Sequence, residues 1–115
     1  MSFTALEYVR HMLGEADFFV EQTRGLSKTD FLKDEVLLRA FVRSIEVIGE
    51  ASKQIPPEFR ARYPQIDWRI MAGMRDRLIH GYFGIDYDIV WNVAADEALM
   101  LKDQLEEILA KERNS

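Results

Sequence analysis

The chain has 115 residues, of which 48% are hydrophobic, 30% charged and 11% aromatic. That is the composition of one ordinary globular domain, so a single domain over residues 1–115 is expected and two full domains are excluded. With no Cys, a disulfide framework, a thiolate metal site and a Cys nucleophile are all ruled out. Fifteen Lys and Arg against twenty Asp and Glu give a net charge of -5, which disfavours general adherence to nucleic acid or acidic lipid.

No stretch approaches the roughly 20 apolar residues that span a bilayer, and the first residues lack a basic region followed by an apolar run. A cytoplasmic protein without a membrane partner is therefore the expectation. Along the chain, Leu6, Val9, Leu13, Ala16 and Val20 recur at spacings of three and four. They predict an amphipathic helix from about Phe3 to Thr23, with Thr4 and Glu7 as a capping box. A second helix is expected from Ser27 or Thr29 to about Gln54, where Pro56 stops it.

On that second helix Arg39, Arg43, Glu46, Glu50 and Lys53 fall along one narrow line, while Leu37, Leu38, Ala40, Phe41, Ile45, Val47, Ile48 and Ala51 occupy most of the remaining circumference. Such a helix is buried on several sides. The charged line reads as a solvated face laced by pairs three or four apart, or as the lining of a cleft. Gly49 costs about 1 kcal/mol inside a helix relative to Ala, which points to close approach of a neighbouring backbone, a second subunit included.

After a helical turn at Pro57 to Arg62, Asp67 caps a third main helix that runs to about His80, where Gly81 and Gly84 break it. Asp86 caps the last helix, whose stripe is Trp91, Ala94, Ala98, Leu101, Leu105 and Ile108. No strand-length alternation competes. The expected fold is an all-α antiparallel bundle of four main helices plus a short helical turn, and the wide apolar second helix points to a dimer.

Charge is unevenly spread. From Arg60 to His80 five Arg stand against two Asp, whereas from Asp86 onward eight acids oppose three bases. The basic stretch ends in Met74-Arg75-Asp76-Arg77-Leu78-Ile79-His80-Gly81-Tyr82. His titrates nearest neutrality, and the Arg fork suits phosphate oxygens and the charge of a phosphoryl transition state. Together they suit RNA phosphodiester cleavage, where the ribose 2′-OH attacks its own phosphate and the protein need only move protons and stabilise charge, without a bound metal.

Plainer readings stand beside this one. His80 also looks like a helix C-terminal cap, Arg75 like a solvated or paired arginine, and Tyr82 like an amphipathic residue at the core margin. Positions five apart lie about 140° apart on an ideal helix, so Arg75 and His80 do not automatically share a face and Arg75 would have to reach round or act beside a second subunit, whereas Asp76 and His80 do share one, where Asp76 could orient or hold the imidazole. His11 falls away from its helix's apolar stripe and reads as solvated surface. Two distant His and no Cys leave no zinc ligand set, so no metal is expected, with a carboxylate-bound magnesium as the one alternative left open, and neither Gly-rich phosphate motif occurs. Trp68, Trp91 and the Met residues read as core rather than as base-stacking platforms.

The pattern Arg75-x4-His80-x-Tyr82, embedded in Ile70 to Tyr82, resembles the HepT-type toxins of the HEPN superfamily. Ile48-Gly49-Glu50-Ala51, Pro64-x-Ile66-x-Trp68 and Asp86 to Trp91 resemble the same family in similar order and spacing, so the resemblance covers most of the chain. It implies a HEPN-like bundle that dimerises, with Arg75 and His80 of two chains meeting in a cleft that cleaves RNA without metal or cofactor. Two His, one per chain, then supply both a proton acceptor and a proton donor.

Carried over residue by residue, the resemblance implies that Arg75 stabilises the phosphorane and His80 shuttles protons. Asp76 is a supporting residue at the often polar position after the Arg. Tyr82 would accept AMP from the family's partner, an MntA-like minimal nucleotidyltransferase antitoxin. An adenylyl group there would put bulk and negative charge beside Arg75 and His80 and block the cleft. Arg69 and Arg77 are candidate contacts to RNA or to the antitoxin. The alternative is a non-catalytic HEPN binding or scaffold module beside a nucleotidyltransferase. A third class, a helical ligand carrier, has only the wide apolar surfaces in its favour.

Overall fold

The computed structural model describes residues 3–80 and 84–113. Helix α1, Ala5–Thr23, begins where the Thr4 hydroxyl accepts the Glu7 backbone N–H at 3.2 Å, satisfying one of the donors that every helix start leaves free. Its buried line is Val9, Met12, Ala16 and Phe19, while Leu6, Leu13 and Val20 sit at the core margin. The inward face is thus turned slightly from the expected stripe. Packing on two sides, against the third and the last helix, draws the bulkier Met12 and Phe19 to the centre.

The expected second helix is two helices. Helix α2, Lys28–Lys33, starts at Ser27, whose hydroxyl accepts the Asp30 N–H, and α3 spans Glu35–Lys53. Between them Asp34 serves both ends. Its N–H donates to Phe31 O and its carboxylate accepts the Leu37 N–H, each at 3.1 Å. Asp competes with helical hydrogen bonding and favours caps, and the bend lets fully buried Phe31 stack on Phe41 (centroids 4.9 Å apart) and reach Trp91 (5.3 Å).

Helix α3 is the hub, packing against α1 and against the helices of the basic segment. Its Gly49 faces a neighbouring backbone, that of the same chain, but the approach leaves room for a methyl group: a Cβ there would lie 3.5 Å from Met71 O and 3.6 Å from Ala72 O, an ordinary contact. Among the described residues the charged line is laced by one short pair, Glu50 with Lys53 at 3.4 Å.

Helix α4, Pro57–Arg62, matches the expected turn. The third main helix, expected as one rod to His80, is instead α5, Trp68–Ala72, and α6, Met74–Leu78, separated at Gly73. The chain then becomes extended. Strand β1, Ile79–His80, pairs antiparallel with β2, Gly84–Ile85, in the register Ile79↔Ile85 and His80↔Gly84. Glycine is among the poorest helix formers, which explains the break at Gly73.

Asp86 caps α7, Tyr87–Asn92, accepting the N–H groups of Asp88 and Ile89. A π-helical turn, Val93–Glu97, joins it to α8, Ala98–Arg113. The wide turn moves the inward face from the expected Trp91, which is half-buried, to Val90 and Val93. The fold is all-α apart from the two-residue strand pair, with one core shared by α1, α3 and the α7–α8 rod around Phe19, Phe41, Ile45, Leu105 and Ile108.

The loop before α5 is pinned to the end of α8. Buried Tyr63 hydrogen-bonds the Glu112 carboxylate, which also takes Arg62 at 3.2 Å, and the Tyr63 carbonyl accepts the Trp68 indole N–H at 3.0 Å. Burial first, then the hydrogen bond and charge of Glu112, push the Tyr63 phenol above its ordinary pKa, with Arg62 pulling the other way. Among the described residues no helix is long and apolar enough to cross a membrane.

Candidate active site

Helix α6 has only five residues, and its placement follows from two apolar anchors. Met74 and Leu78, four apart and hence on one face, are buried against the body, leaving Arg75, Asp76 and Arg77 exposed. The helix is held at its start by Gly73, whose carbonyl accepts the N–H groups of Asp76 and Arg77. At its end Leu78 O accepts the Asp86 N–H at 2.7 Å, and the β1–β2 pair fixes the exit.

The three charged residues differ in what they face. Arg77 makes a forked pair with Glu97 of the π-helical turn, at 3.4 and 3.3 Å, so its charge is already answered. Arg75 has no acid within 4.0 Å among the described residues, and neither has Arg69, exposed on α5. Asp76 is likewise free of side-chain bonds among the described residues. A cation of this kind is open to a phosphate oxygen.

His80 is not at a helix C-terminus. Since α6 ends at Leu78 and Ile79 is extended (φ -101°, ψ 117°), the cap reading fails, and so does the helical face that Asp76 and His80 were expected to share. Extended backbone advances about 3.3 Å per residue against about 1.5 Å in a helix, which carries His80 onto β1, beyond the end of α6. The side chain of His80 and the whole of Tyr82 lie outside the described residues.

Two concave features had no counterpart in the sequence. One is a mostly apolar cavity of about 250 Å³ between α5, the π-helical turn and α8, lined by Met71, Met74, Met100 and Leu101, with Ile70 and Met100 exposed beside it. The other is a groove between α1 and α3 containing His11 and Arg43. His11, read as solvated surface, is exposed but packs edge-on against Phe3 and Tyr8. Among the described residues no group of three or more His, Asp or Glu is placed to hold a metal ion.

The all-α bundle, with an exposed arginine on a short helix and a histidine on the strand that follows, agrees with the HEPN-like fold that the motif's resemblance implies. The family model described as ribonuclease HepT-like matches residues 6–108, and the chain belongs to the HepT-like ribonuclease family. Among its relatives, a protein provisionally named RNase TTE0752, from Caldanaerobacter subterraneus subsp. tengcongensis, is 49% identical over 110 residues, covering 96% of this chain and 98% of that one. A protein named probable ribonuclease HepT, from Thermococcus cleftensis, is 39% identical over 102 residues, covering 89% and 93%. A protein provisionally named RNase MJ1216, from Methanocaldococcus jannaschii, is 38% identical over 112 residues, covering 94% and 93%. No solved structure gives a significant match.

Proposed function

We propose that the chain is the toxin of a HepT/MntA-type toxin–antitoxin pair: a metal-independent endoribonuclease whose composite site forms at the cleft of a homodimer from Arg75 and His80. The observation that carries this reading is the family match over residues 6–108, which spans both positions. The exposure of Arg75, without an acid beside it among the described residues, supports it.

In this reading the ribose 2′-oxygen attacks phosphorus while one His80 takes its proton, and the bond from phosphorus to the 5′-oxygen breaks as the other His80 protonates that oxygen. The products are a 2′,3′-cyclic phosphate and a 5′-hydroxyl. Arg75 balances the charge that builds on the phosphorane, and Asp76 is a supporting residue. The substrate brings its own nucleophile, so neither metal nor cofactor enters the scheme. An MntA-like nucleotidyltransferase adenylylates Tyr82 and so neutralises the toxin. Arg69 is a further RNA or antitoxin contact, whereas Arg77 must leave Glu97 before it can act as one.

The test uses folded, unadenylylated wild type, His80→Ala and Arg75→Ala with total cellular RNA in EDTA. Wild type is expected to cleave, and His80→Ala to be slower by about 10²–10⁴-fold, the usual worth of a positioned acid or base. RNA left intact by wild type would instead favour the scaffold module, a reading that the net charge of -5 and the neutralised Arg77 already support.

A further inference from the structure

The groove between α1 and α3 is built from two different kinds of wall. On the α1 side stand three rings set at nearly right angles to one another: Phe3 and His11 (centroids 4.8 Å, 84°), Phe3 and Tyr8 (5.6 Å, 88°), Tyr8 and His11 (6.1 Å, 85°). Phe3 is 52% exposed although it belongs to this cluster. Across from the rings, α3 contributes Arg43, Glu50 and Gln54. The space between them is about 430 Å³, within the usual range for a small-ligand cleft.

The groove answers a question left by the charged line on α3. Glu50 is engaged with Lys53, but Arg43 has no acid within 4.0 Å among the described residues. Arg43, Glu50 and Gln54 follow at spacings of seven and four, so they share a face of α3. Gly49, which meets the α5 carbonyls, lies on roughly the opposite side. The groove therefore opens on a different side of α3 from the one that packs against α5.

A purely anionic ligand would not need exposed rings, and a purely apolar one would not need a free guanidinium. A nucleotide uses both, since its base stacks on aromatic side chains and its phosphate takes the arginine fork. The Gln54 amide adds one donor and one acceptor able to read a base edge.

We propose that this groove binds a nucleotide unit, with the base against Phe3, Tyr8 and His11 and the phosphate on Arg43, as a site separate from Arg75. The unit is a free nucleoside monophosphate or one nucleotide of single-stranded RNA, and only the RNA source rests on the ribonuclease reading above.

The chain has two His, so in folded His80→Ala protein the imidazole NMR signals belong to His11 alone. Titration with 5′-AMP, and separately with a five-residue oligoadenylate, is expected to shift them to saturation. Arg43→Ala and Phe3→Ala, both at exposed positions, should each weaken binding by about tenfold. Tighter binding of the oligonucleotide identifies RNA as the source, and equal or tighter binding of AMP identifies the free nucleotide.

Signals that stay unmoved by both probes, or titrations unchanged by the two substitutions, overturn the proposal. A silent groove in a protein whose wild type cleaves RNA defeats this inference alone. A responsive groove in a protein that leaves RNA intact defeats only the cleavage reading.

Discussion

Gly49 sits inside α3, where Ala would be worth about 1 kcal/mol more, and the space around it decides whether that gain can be realised. A Cβ would lie 3.5 Å from Met71 O and 3.6 Å from Ala72 O, an ordinary van der Waals separation, so Gly49→Ala fits without moving α5. Gly14, within α1, has nothing within 4 Å of the same construction and serves as the control. Both substitutions should stabilise by about 0.5–1 kcal/mol. With a urea slope of about 1–3 kcal/mol per M, that raises the midpoint by roughly 0.2–1 M at unchanged slope. Gly49→Val adds two methyl groups where the first carbon is already in contact. Overpacking of that kind costs about 1–3 kcal/mol, and because α5 leads through Gly73 into α6, the displacement reaches Arg75. RNA cleavage should therefore fall in Gly49→Val and stay unchanged in Gly14→Ala. The reasoning is refuted if Gly49→Ala destabilises by 1 kcal/mol or more while Gly14→Ala stabilises.

Asp34→Ala removes the side-chain cap of α3 at 3.1 Å and should cost about 1 kcal/mol, read as a lower urea midpoint; no change would mean that the junction is held by Phe31 alone. Tyr63→Phe tests the contact with Glu112. The folded pKa of Tyr63 is raised, so its neutral form is favoured in the folded state, and this contribution is fully present below about pH 10 and lost as pH rises through the folded value. Wild type should lose more stability than Tyr63→Phe as pH rises above about 10, and parallel losses would contradict the assigned environment.

The caps at Thr4, Ser27, Asp67 and Asp86 were legible because an N-cap depends on the residue itself and on the two or three that follow. The interruption at Asp34 was not, since Phe31, Leu38, Phe41 and Ile45 keep helical spacing straight through it; the packing that goes with the bend, Phe31 on Phe41 and Trp91, joins residues far apart in the chain. The helix expected from Asp67 to about His80 ran straight through Gly73, where the structure breaks it, and a π-helical turn inserts its extra residue without any composition signal. Arg75, His80 and Tyr82 were legible as a motif because they are close in sequence. Phe3, His11 and Arg43 were not, because only the packing of α1 on α3 brings them to one groove.

The basic segment also allows its own weight in RNA binding to be calculated. Its five arginines suggest a track for the phosphate backbone, but three are committed: Arg62 to Glu112, Arg77 to Glu97, and Arg60 to the carbonyls of Ile55 and Lys53. Two, Arg69 and Arg75, remain. For single strands each neutralised phosphate contributes about 0.7 to the slope of log affinity against log salt. A strand on one protomer should thus show a slope near -1.4, where five engaged arginines would give about -3.5. A strand shared by two protomers doubles both figures, so substitution decides the matter. Arg69→Ala, in a His80→Ala background chosen to slow cleavage, should lower the slope by about 0.7 per engaged protomer, whereas Arg77→Ala should leave it unchanged. If Arg77→Ala lowers the slope as much as Arg69→Ala does, the Arg77–Glu97 pair opens on binding, and Arg77 belongs to the RNA surface after all.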